Sequence, residues 1–171
     1  MTRTCWRAAP CCGATTRRWS PPRSRKTRAR FAEVYAGARP VVLHADLHGE
    51  NLKWHGGRLA VFDFDDCGLG VPALDLAIAT FYLRDGRPEV EQALLAGYAR
   101  TGGTEPAPRL GVTPAQFEAM VAARQLLLAN CLLTSSTADL RGEAEGYLAV
   151  TAERLRRYLR TGRFALSPPA S

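Results

Sequence analysis

Three polar side chains stand at a spacing that suits phosphoryl transfer. Asp46 and Asn51 share the segment His44-Ala-Asp-Leu-His-Gly-Glu-Asn, and Asp63 follows twelve residues after Asn51, at the end of a short apolar run. Phosphoryl-transfer enzymes orient the acceptor hydroxyl with one carboxylate and hold nucleotide-bound Mg²⁺ with an amide and a second carboxylate. The spacing therefore predicts Asp46 as the catalytic base, and Asn51 and Asp63 as oxygen ligands of Mg²⁺. His44 joins the catalytic set, with the predicted task of supporting the loop through hydrogen bonds.

A predicted β-hairpin explains how the two metal ligands meet. Residues 51–54 and 58–62 are short extended runs on either side of His55-Gly56-Gly57, and the glycines supply the positive φ angles of a tight turn. Asn51 begins the first run, and Asp63 follows the second. Pairing of the two strands therefore brings these side chains together. Just before the loop, Val41-Val42-Leu43 is predicted to be a short strand that delivers His44.

Apolar residues at helical spacing predict a mostly helical region around the hairpin. The clearest start signal is Thr113-Pro114-Ala-Gln116, because it combines an N-cap threonine, a proline at the first helical position and a glutamine at the third. The predicted helices are 28–36, 73–84, a helix from Pro88, a helix from Thr113 to about Thr134, and 142–161.

The ends of the chain differ from its middle. Residues 1–27 contain three prolines, scattered arginines and no periodicity, so they are predicted to be a disordered basic tail, and 163–171 a frayed C-terminus. Residues 1–30 hold nine of the 23 basic side chains and no acidic one, which leaves the rest near neutral. The positive charge therefore predicts no specific nucleic-acid partner. No apolar run approaches the length of a transmembrane segment, so no membrane partner is expected. Five cysteines without a Cys-x-x-Cys pair favour a reducing cytoplasm.

The region from about Val41 to Thr80 resembles the aminoglycoside phosphotransferase and choline-kinase-like family. The similarity rests on the His44–Asn51 segment, on Phe62-Asp-Phe-Asp-Asp-Cys-Gly-Leu-Gly70 and on Pro72-Ala-Leu-Asp-Leu-Ala77. It becomes looser over the helices to about Arg160. The resemblance implies an α+β fold: the mostly helical C-terminal lobe of a protein-kinase-like fold over residues 28–162, with a small β-hairpin at the catalytic loop, the name used below for residues 44–51.

The same resemblance implies ATP and Mg²⁺ as cofactors and the hydroxyl group of a small molecule as phosphoryl acceptor. It assigns Asp46 as the base and Asn51 and Asp63 as Mg²⁺ ligands, and it implies that Asp75 braces the catalytic loop from the next helix.

Asp65 is given a supporting role beside the metal site. With its neighbour Asp66 it either enriches that site, faces a cationic substrate, or caps a following turn at Gly68 and Gly70. The capping interpretation is the favoured one.

One departure from the family pattern is large. The fold needs an N-terminal lobe with a glycine-rich loop over the phosphates and a lysine on a strand. Upstream of His44, Gly13 and Gly37 stand alone and Lys26 lies in a charged run. The other lysine, Lys53, falls inside the hairpin. The N-terminal lobe is therefore expected to be absent. Apolar surface near 38–43 and 59–62 is expected to be exposed in consequence, with a tendency to self-association.

Two other functions compete with a kinase. A metal-dependent hydrolase would use His44, Asp46, His48 and Asp63 as ligands, since histidine and carboxylate bind Zn²⁺ or Mn²⁺. A non-catalytic remnant of the kinase fold would keep the architecture without turnover. The identity of the bound metal separates the kinase from the hydrolase, and an ATPase assay tests the remnant.

Overall fold

The computed structural model describes residues 32–36, 39–85, 87–102 and 111–167. In this part of the chain, two small sheets are followed by a body of packed helices. The order of elements is a helical segment α1 (32–36), β1 (Val41–Leu43), a 3₁₀ turn (Gly49–Asn51), β2 (Leu52–His55), β3 (Arg58–Val61), β4 (Gly68–Gly70), α2 (Ala73–Leu83), α3 (Pro88–Gly102), α4 (Pro114–Thr134), α5 (Ala138–Gly142) and α6 (Ala144–Thr161).

The predicted hairpin is confirmed. β2 pairs antiparallel with β3, with Leu52 opposite Val61 and His55 opposite Arg58. Gly56 and Gly57 form the two-residue turn with φ angles of +55° and +75°, a conformation that glycine adopts without steric cost. The catalytic loop and Asp63 thus lie at the open end of the hairpin.

A second two-stranded sheet is formed by the strands that precede and follow the loop and the hairpin in sequence. β1 pairs antiparallel with β4, with Leu43 opposite Gly68 and Val41 opposite Gly70. The expectation that Asp65 and Asp66 cap a turn at Gly68 and Gly70 is therefore wrong, because pairing with β1 holds these glycines in a strand. At Gly70 a Cβ atom would lie 2.6 Å from Leu43 Cδ1, so a larger residue there would push the Leu43 side chain aside.

The hydrophobic core lies between α2 and α4. The apolar face of α2 is buried, with Leu74 and Ile78 each 2% exposed. α4 packs against both α2 and α6. It begins with the predicted capping box, in which Thr113 and Gln116 exchange side-chain to backbone hydrogen bonds. α4 is long and apolar enough to cross a membrane, with a mean hydropathy of 1.2. However, α4 packs in the core of this structure, and core helices of globular proteins can have the same length and hydropathy.

The structure tests two boundary predictions near the C-terminus. The predicted helix 142–161 is present as α6, which begins at Ala144, follows the short helix α5 and meets it at Glu143. The prediction of a frayed end is wrong for residues 163–167. Phe164 is fully buried and stacks on Phe81 at 5.5 Å between ring centroids, so apolar burial fixes 163–167 against the helices. Residues 1–31 and 168–171, which include the predicted disordered tail, lie outside the described residues.

The two sheets expose apolar side chains, as the sequence predicts near 38–43 and 59–62. Val42 is 76% exposed and Trp54 70%. The exposed apolar residues of the sheets and of the segments that follow them are Val41, Val42, Trp54, Leu59, Val61, Phe62, Phe64 and Leu69. We call this group the sheet patch. Surfaces of this kind are uncommon on monomers and favour association.

We therefore predict that the 171-residue chain self-associates as its concentration rises. Sedimentation velocity over a concentration series should show a growing weight-average mass, because association removes the sheet patch from water. Val42→Lys should weaken this trend. As a matched control, Arg87→Lys lies on the exposed α2–α3 connection, away from the sheets, and should leave the trend unchanged. A concentration-independent monomer would contradict the prediction.

Candidate active site

The catalytic loop is fixed to α2 by Asp75. Its carboxylate accepts hydrogen bonds from the backbone amides of His44 (2.9 Å) and Ala45 (2.8 Å). Asp75 lies in the first turn of α2, where a negative charge is favourable next to the helix dipole. Charge-assisted bonds of this kind are about twice as strong as neutral ones. The contact that the resemblance implied for Asp75 is thus present, and it sets the position of the loop backbone.

Both ring nitrogens of His44 contact backbone groups and support the loop. Its Nε2 lies 3.0 Å from the carbonyl oxygen of Phe62, and its Nδ1 accepts a hydrogen bond from the amide of Asp46 at 3.3 Å. The tautomer that satisfies both contacts carries its proton on Nε2. The ring is buried and packs against Phe64 at 4.7 Å. His44 therefore links the loop to the end of β3 and has no ring nitrogen left for proton transfer or metal binding.

Two residues of the site adopt a left-handed backbone without being glycine. Ala45 has a φ angle of 62°, and Asp63 has one of 64°. This conformation costs roughly 1–2 kcal/mol for residues with a Cβ atom. Such strain persists where the surroundings impose it, and it clusters at functional sites. Here it turns the chain immediately before Asp46 and at Asp63 itself.

Asp46 receives donors on both carboxylate oxygens. Oδ1 accepts a hydrogen bond from the guanidinium of Arg124, and Oδ2 lies 3.3 Å from His48 Nε2 and 3.2 Å from Asn51 Nδ2. Burial by itself raises the pKa of Asp46. The hydrogen bond from His48 and the charge of Arg124 outweigh it, so the pKa lies below its ordinary value. Asp46 is therefore a carboxylate at neutral pH, which is the form that accepts a hydrogen bond from a hydroxyl.

Asn51 is buried at the end of the 3₁₀ turn, whose start is capped by the His48 side chain accepting from the amide of Glu50. The Asn51 amino group donates to the Asp46 backbone carbonyl at 2.9 Å and to the Asp46 carboxylate at 3.2 Å. The amino side of the carboxamide is thus committed to Asp46. The amide oxygen is the atom that Asn51 has to offer to a cation.

Asp63 lies one residue beyond the pairing of the hairpin. The amide of Phe62 donates to the backbone carbonyl of Asn51 at 3.1 Å, which extends the ladder to the position before Asp63. Asn51 therefore lies opposite Phe62, the residue before Asp63, and Asp63 is exposed. That the two side chains share one metal ion stays a prediction. An amide oxygen and a carboxylate are the hard oxygen donors that suit Mg²⁺, so the chemistry of the donor set fits that ion.

Asp65 and Asp66 occupy the centre of a turn closed by a hydrogen bond from the Cys67 amide to the Phe64 carbonyl at 3.0 Å. Burial raises the pKa of Asp66, and repulsion from Asp46 adds to the effect while Arg124 opposes it. The two residues therefore form part of the turn that leads to β4, and the negative charge of Asp46 acts on Asp66.

Sequence reasoning missed Arg124 and Tyr82. Arg124 lies in the middle of α4 with its side chain 6% exposed. It donates to Asp46 and to the Tyr82 hydroxyl, at 2.7 Å from Nη2 and 3.2 Å from Nε. Tyr82 in turn packs against the His48 ring at 4.8 Å. An arginine between apolar turns of a buried helix was the available signal, since arginine is almost never fully buried unless it is paired.

The hydrolase alternative finds no support in this arrangement. Each of the two ring nitrogens of His44 and of His48 lies within hydrogen-bond distance of a protein group. Among the residues that the structure describes, no group of three or more histidine, cysteine, aspartate or glutamate side chains is placed to hold a metal ion. A site that depends on histidine ligands would have to break these contacts first.

Comparison with protein families shows to which family this chain belongs. The sequence profile of APH, the phosphotransferase enzyme family, matches residues 10–110. The chain belongs to this family. The match covers the catalytic loop, both sheets, α2 and α3, so the resemblance seen in the sequence is confirmed. A search of curated protein sequences finds no significant match.

Three solved chains are significantly similar to this phosphotransferase-family chain. One of them is the amicoumacin kinase hAmiN in complex with AMP-PNP, Ca²⁺ and Ami, with a TM-score of 0.53 and 18% sequence identity. The alignment covers 85% of this chain and 46% of that kinase, so the chain spans about half of the kinase's length. At this identity the likeness shows the fold alone. It confirms a kinase-like fold that is mostly helical with small sheets.

Proposed function

We propose that this protein takes part in ATP- and Mg²⁺-dependent phosphoryl transfer to a hydroxyl group of a small molecule. The observation that carries the proposal is the pair of hydrogen bonds from the Asn51 amino group to Asp46. These bonds put the proposed base and a proposed metal ligand in direct contact. The family supports the reaction class, and the neighbour solved with AMP-PNP and Ca²⁺ supports a nucleotide and a divalent cation as ligands here.

Each residue of the site has a task in this mechanism. Asp46 accepts a hydrogen bond from the acceptor hydroxyl, orients it towards the phosphorus atom and takes its proton as the new bond forms. Asn51 and Asp63 would hold Mg²⁺ through their side-chain oxygen atoms, while His44 and Asp75 keep the loop in place. Bound Mg²⁺ would neutralise the charge of the phosphates and hold them in position.

We further infer that the described residues correspond to the lobe that carries the catalytic loop. Lys53 is the one lysine in this part of the chain, and it is exposed in β2. The described residues also contain no glycine-rich loop between strands of the kind that covers ATP. The phosphate clamp of a kinase would therefore have to come from outside the described residues.

The proposal is tested by nucleotide binding and by transfer. Isothermal titration of the 171-residue chain with a non-hydrolysable ATP analogue should show binding in Mg²⁺ that is weakened in EDTA. Transfer of labelled γ-phosphate is then measured with a panel of hydroxylated small molecules. Because the described residues hold no phosphate clamp, slow turnover or none is expected unless residues outside them supply one. The absence of any Mg²⁺-dependent nucleotide binding would count against the proposed function.

A separate prediction concerns Asp63. Asp63→Ala should weaken the Mg²⁺-dependent part of nucleotide binding, because it removes a charged oxygen ligand. The part that remains in EDTA should not change. Titration of both proteins with and without Mg²⁺ measures the difference. Asp139→Ala, in α5 far along the chain, is the matched control and should bind like the unaltered protein. Equal affinity of Asp63→Ala and this control in Mg²⁺ would remove Asp63 from the metal site.

A further inference from the structure

Asp46 is tied to the helical body through one side chain. His48 and Asn51, which contact its Oδ2, belong to the same loop and move with it. Arg124 comes from α4 and contacts Oδ1. Among the described residues, the Arg124 contact is therefore the hydrogen bond that relates the Asp46 carboxylate to the helices rather than to its own loop.

Arg124 is itself held in place. Tyr82 of α2 accepts hydrogen bonds from Nη2 and Nε, and its ring centroid lies 5.4 Å from the guanidinium carbon. Because α2 and α4 pack against each other in the core, the guanidinium is fixed by two helices at once. Asp75, also on α2, fixes the backbone of the loop. The backbone and the carboxylate of the catalytic loop thus have separate anchors on the same helical body.

Stability of the core does not explain this arrangement. The Arg124 side chain lies beside Leu74, Ile78 and Met120, at a small cavity that they line together. Replacing a buried ion pair with apolar residues of similar volume is often neutral or stabilising. An apolar residue at 124 paired with an apolar residue at 46 would thus serve the core at least as well. What the pair provides instead is a fixed orientation of one carboxylate.

We propose that Arg124, held by Tyr82, is a positioning residue that fixes the orientation of the Asp46 carboxylate for the acceptor hydroxyl. The proposal rests on the proposed function for the role of Asp46, while the orientation itself is a property of this chain. A carboxylate oxygen accepts about two hydrogen bonds. With Arg124 on Oδ1, one acceptor position of that oxygen remains for the acceptor hydroxyl. Without Arg124, the carboxylate keeps only its contacts with His48 and Asn51 through Oδ2, so rotation about its side-chain bonds is less restricted.

The test measures the Asp46 side chain directly. Three-bond couplings from the backbone nitrogen and carbonyl carbon to Asp46 Cγ are recorded on the labelled 171-residue chain. The unaltered protein should show a single χ1 rotamer. Arg124→Met keeps most of the length and removes the charge, so its couplings should become rotamer averages. Arg124→Lys restores a charge and should restore most of the single-rotamer population. If folded Arg124→Met keeps the unaltered couplings, the proposal is wrong.

A second variant covers the case in which Arg124→Met does not fold. Arg124→Gln keeps polarity at a shorter length, and the same averaging is expected from it. Tyr82→Phe removes only the hydroxyl that holds the guanidinium, so it should produce a smaller shift towards averaging. Unchanged Asp46 couplings in both variants would also overturn the proposal. A merely structural role for Arg124 would lower the thermal midpoint and leave the Asp46 rotamer as it is.

Turnover gives an independent readout wherever transfer is measurable. Arg124→Met should lower kcat by about 10²-fold, the cost associated with misplacing a catalytic group by roughly 1 Å. The KM for ATP should stay within about twofold, because Asp46 does not bind the nucleotide. Loss confined to KM would overturn the proposal. Absence of transfer by the unaltered chain would bear on the proposed function only, since the couplings decide the role of Arg124 by themselves.

Discussion

Asp46→Asn is expected to lower the rate of phosphoryl transfer by about 10²–10⁴-fold, the usual contribution of a general base. The substitution keeps the size of the side chain but removes the charge that is proposed to accept the hydroxyl proton. Because the proposed mechanism has Asp46 contact the acceptor rather than the metal, Mg²⁺-dependent nucleotide binding should remain largely intact. The expected signature is a fall in kcat with little change in the affinity for nucleotide.

This measurement needs a phosphotransferase that turns over and a correction for folding. The Asp46→Asn substitution would leave the Arg124 guanidinium without its counter-charge in a buried position, so the folded fraction is measured by circular dichroism and used to scale the rate. Asp85→Asn makes the same chemical change on the exposed connection between α2 and α3, and it should retain full activity. Equal loss of metal binding in Asp46→Asn and Asp63→Ala would show that Asp46 is a metal ligand instead.

Arg84→Met is expected to lower the free energy of unfolding by about 3–5 kcal/mol, the typical cost of breaking a buried ion pair from one side. Arg84 is 6% exposed at the end of α2, and its side chain makes five hydrogen bonds, to Glu91, to Glu118 and to the Phe164 carbonyl. Burial lowers its pKa, but the two glutamates raise it further, so it stays charged. Methionine would leave both carboxylates without this partner.

Arg87→Met is the matched control for this loss. Arg87 pairs with Asp85 at 3.0 Å on the connection that follows Arg84, and both partners are well exposed. Pairs of this kind contribute about 0–1 kcal/mol. Urea denaturation followed by circular dichroism compares the two variants. A loss that is the same in both would mean that the cluster of Arg84 with Glu91 and Glu118 contributes no more than a surface pair.

The loop and the hairpin could be predicted because their signals are local. Gly56-Gly57 between two extended runs specifies the turn, and the turn fixes the register that places Asn51 opposite Phe62, the residue before Asp63. Thr113 and Gln116 specify the start of α4 in the same way, through contacts between near neighbours in sequence. Asp75 could be assigned only from the family resemblance, because its contact with the loop joins residues about thirty positions apart.

The features that escaped prediction depend on distant parts of the chain. Gly68–Gly70 has the composition of a turn, and only the presence of β1 alongside makes it a strand. Arg124 reaches Asp46 across 78 positions, and no local pattern encodes that contact. Phe164 follows the last helix in a short segment without periodicity, and its burial against Phe81 is decided by where α2 lies.

The pairing of β1 with β4 makes the catalytic segment a closed insert in the fold. Leu43 and Gly68 are direct partners, so the ends of the segment 44–67 lie about 5 Å apart. The candidate base Asp46 and the candidate metal ligands Asn51 and Asp63 all fall inside this segment. Asp75 of α2 and Arg124 of α4, which hold the loop, lie outside it. Such a segment can be grafted onto another pair of antiparallel strands without changing the distance between its two ends. Residues 44–67 are therefore a natural unit for transplantation between related scaffolds, provided that the recipient supplies counterparts of Asp75 and Arg124.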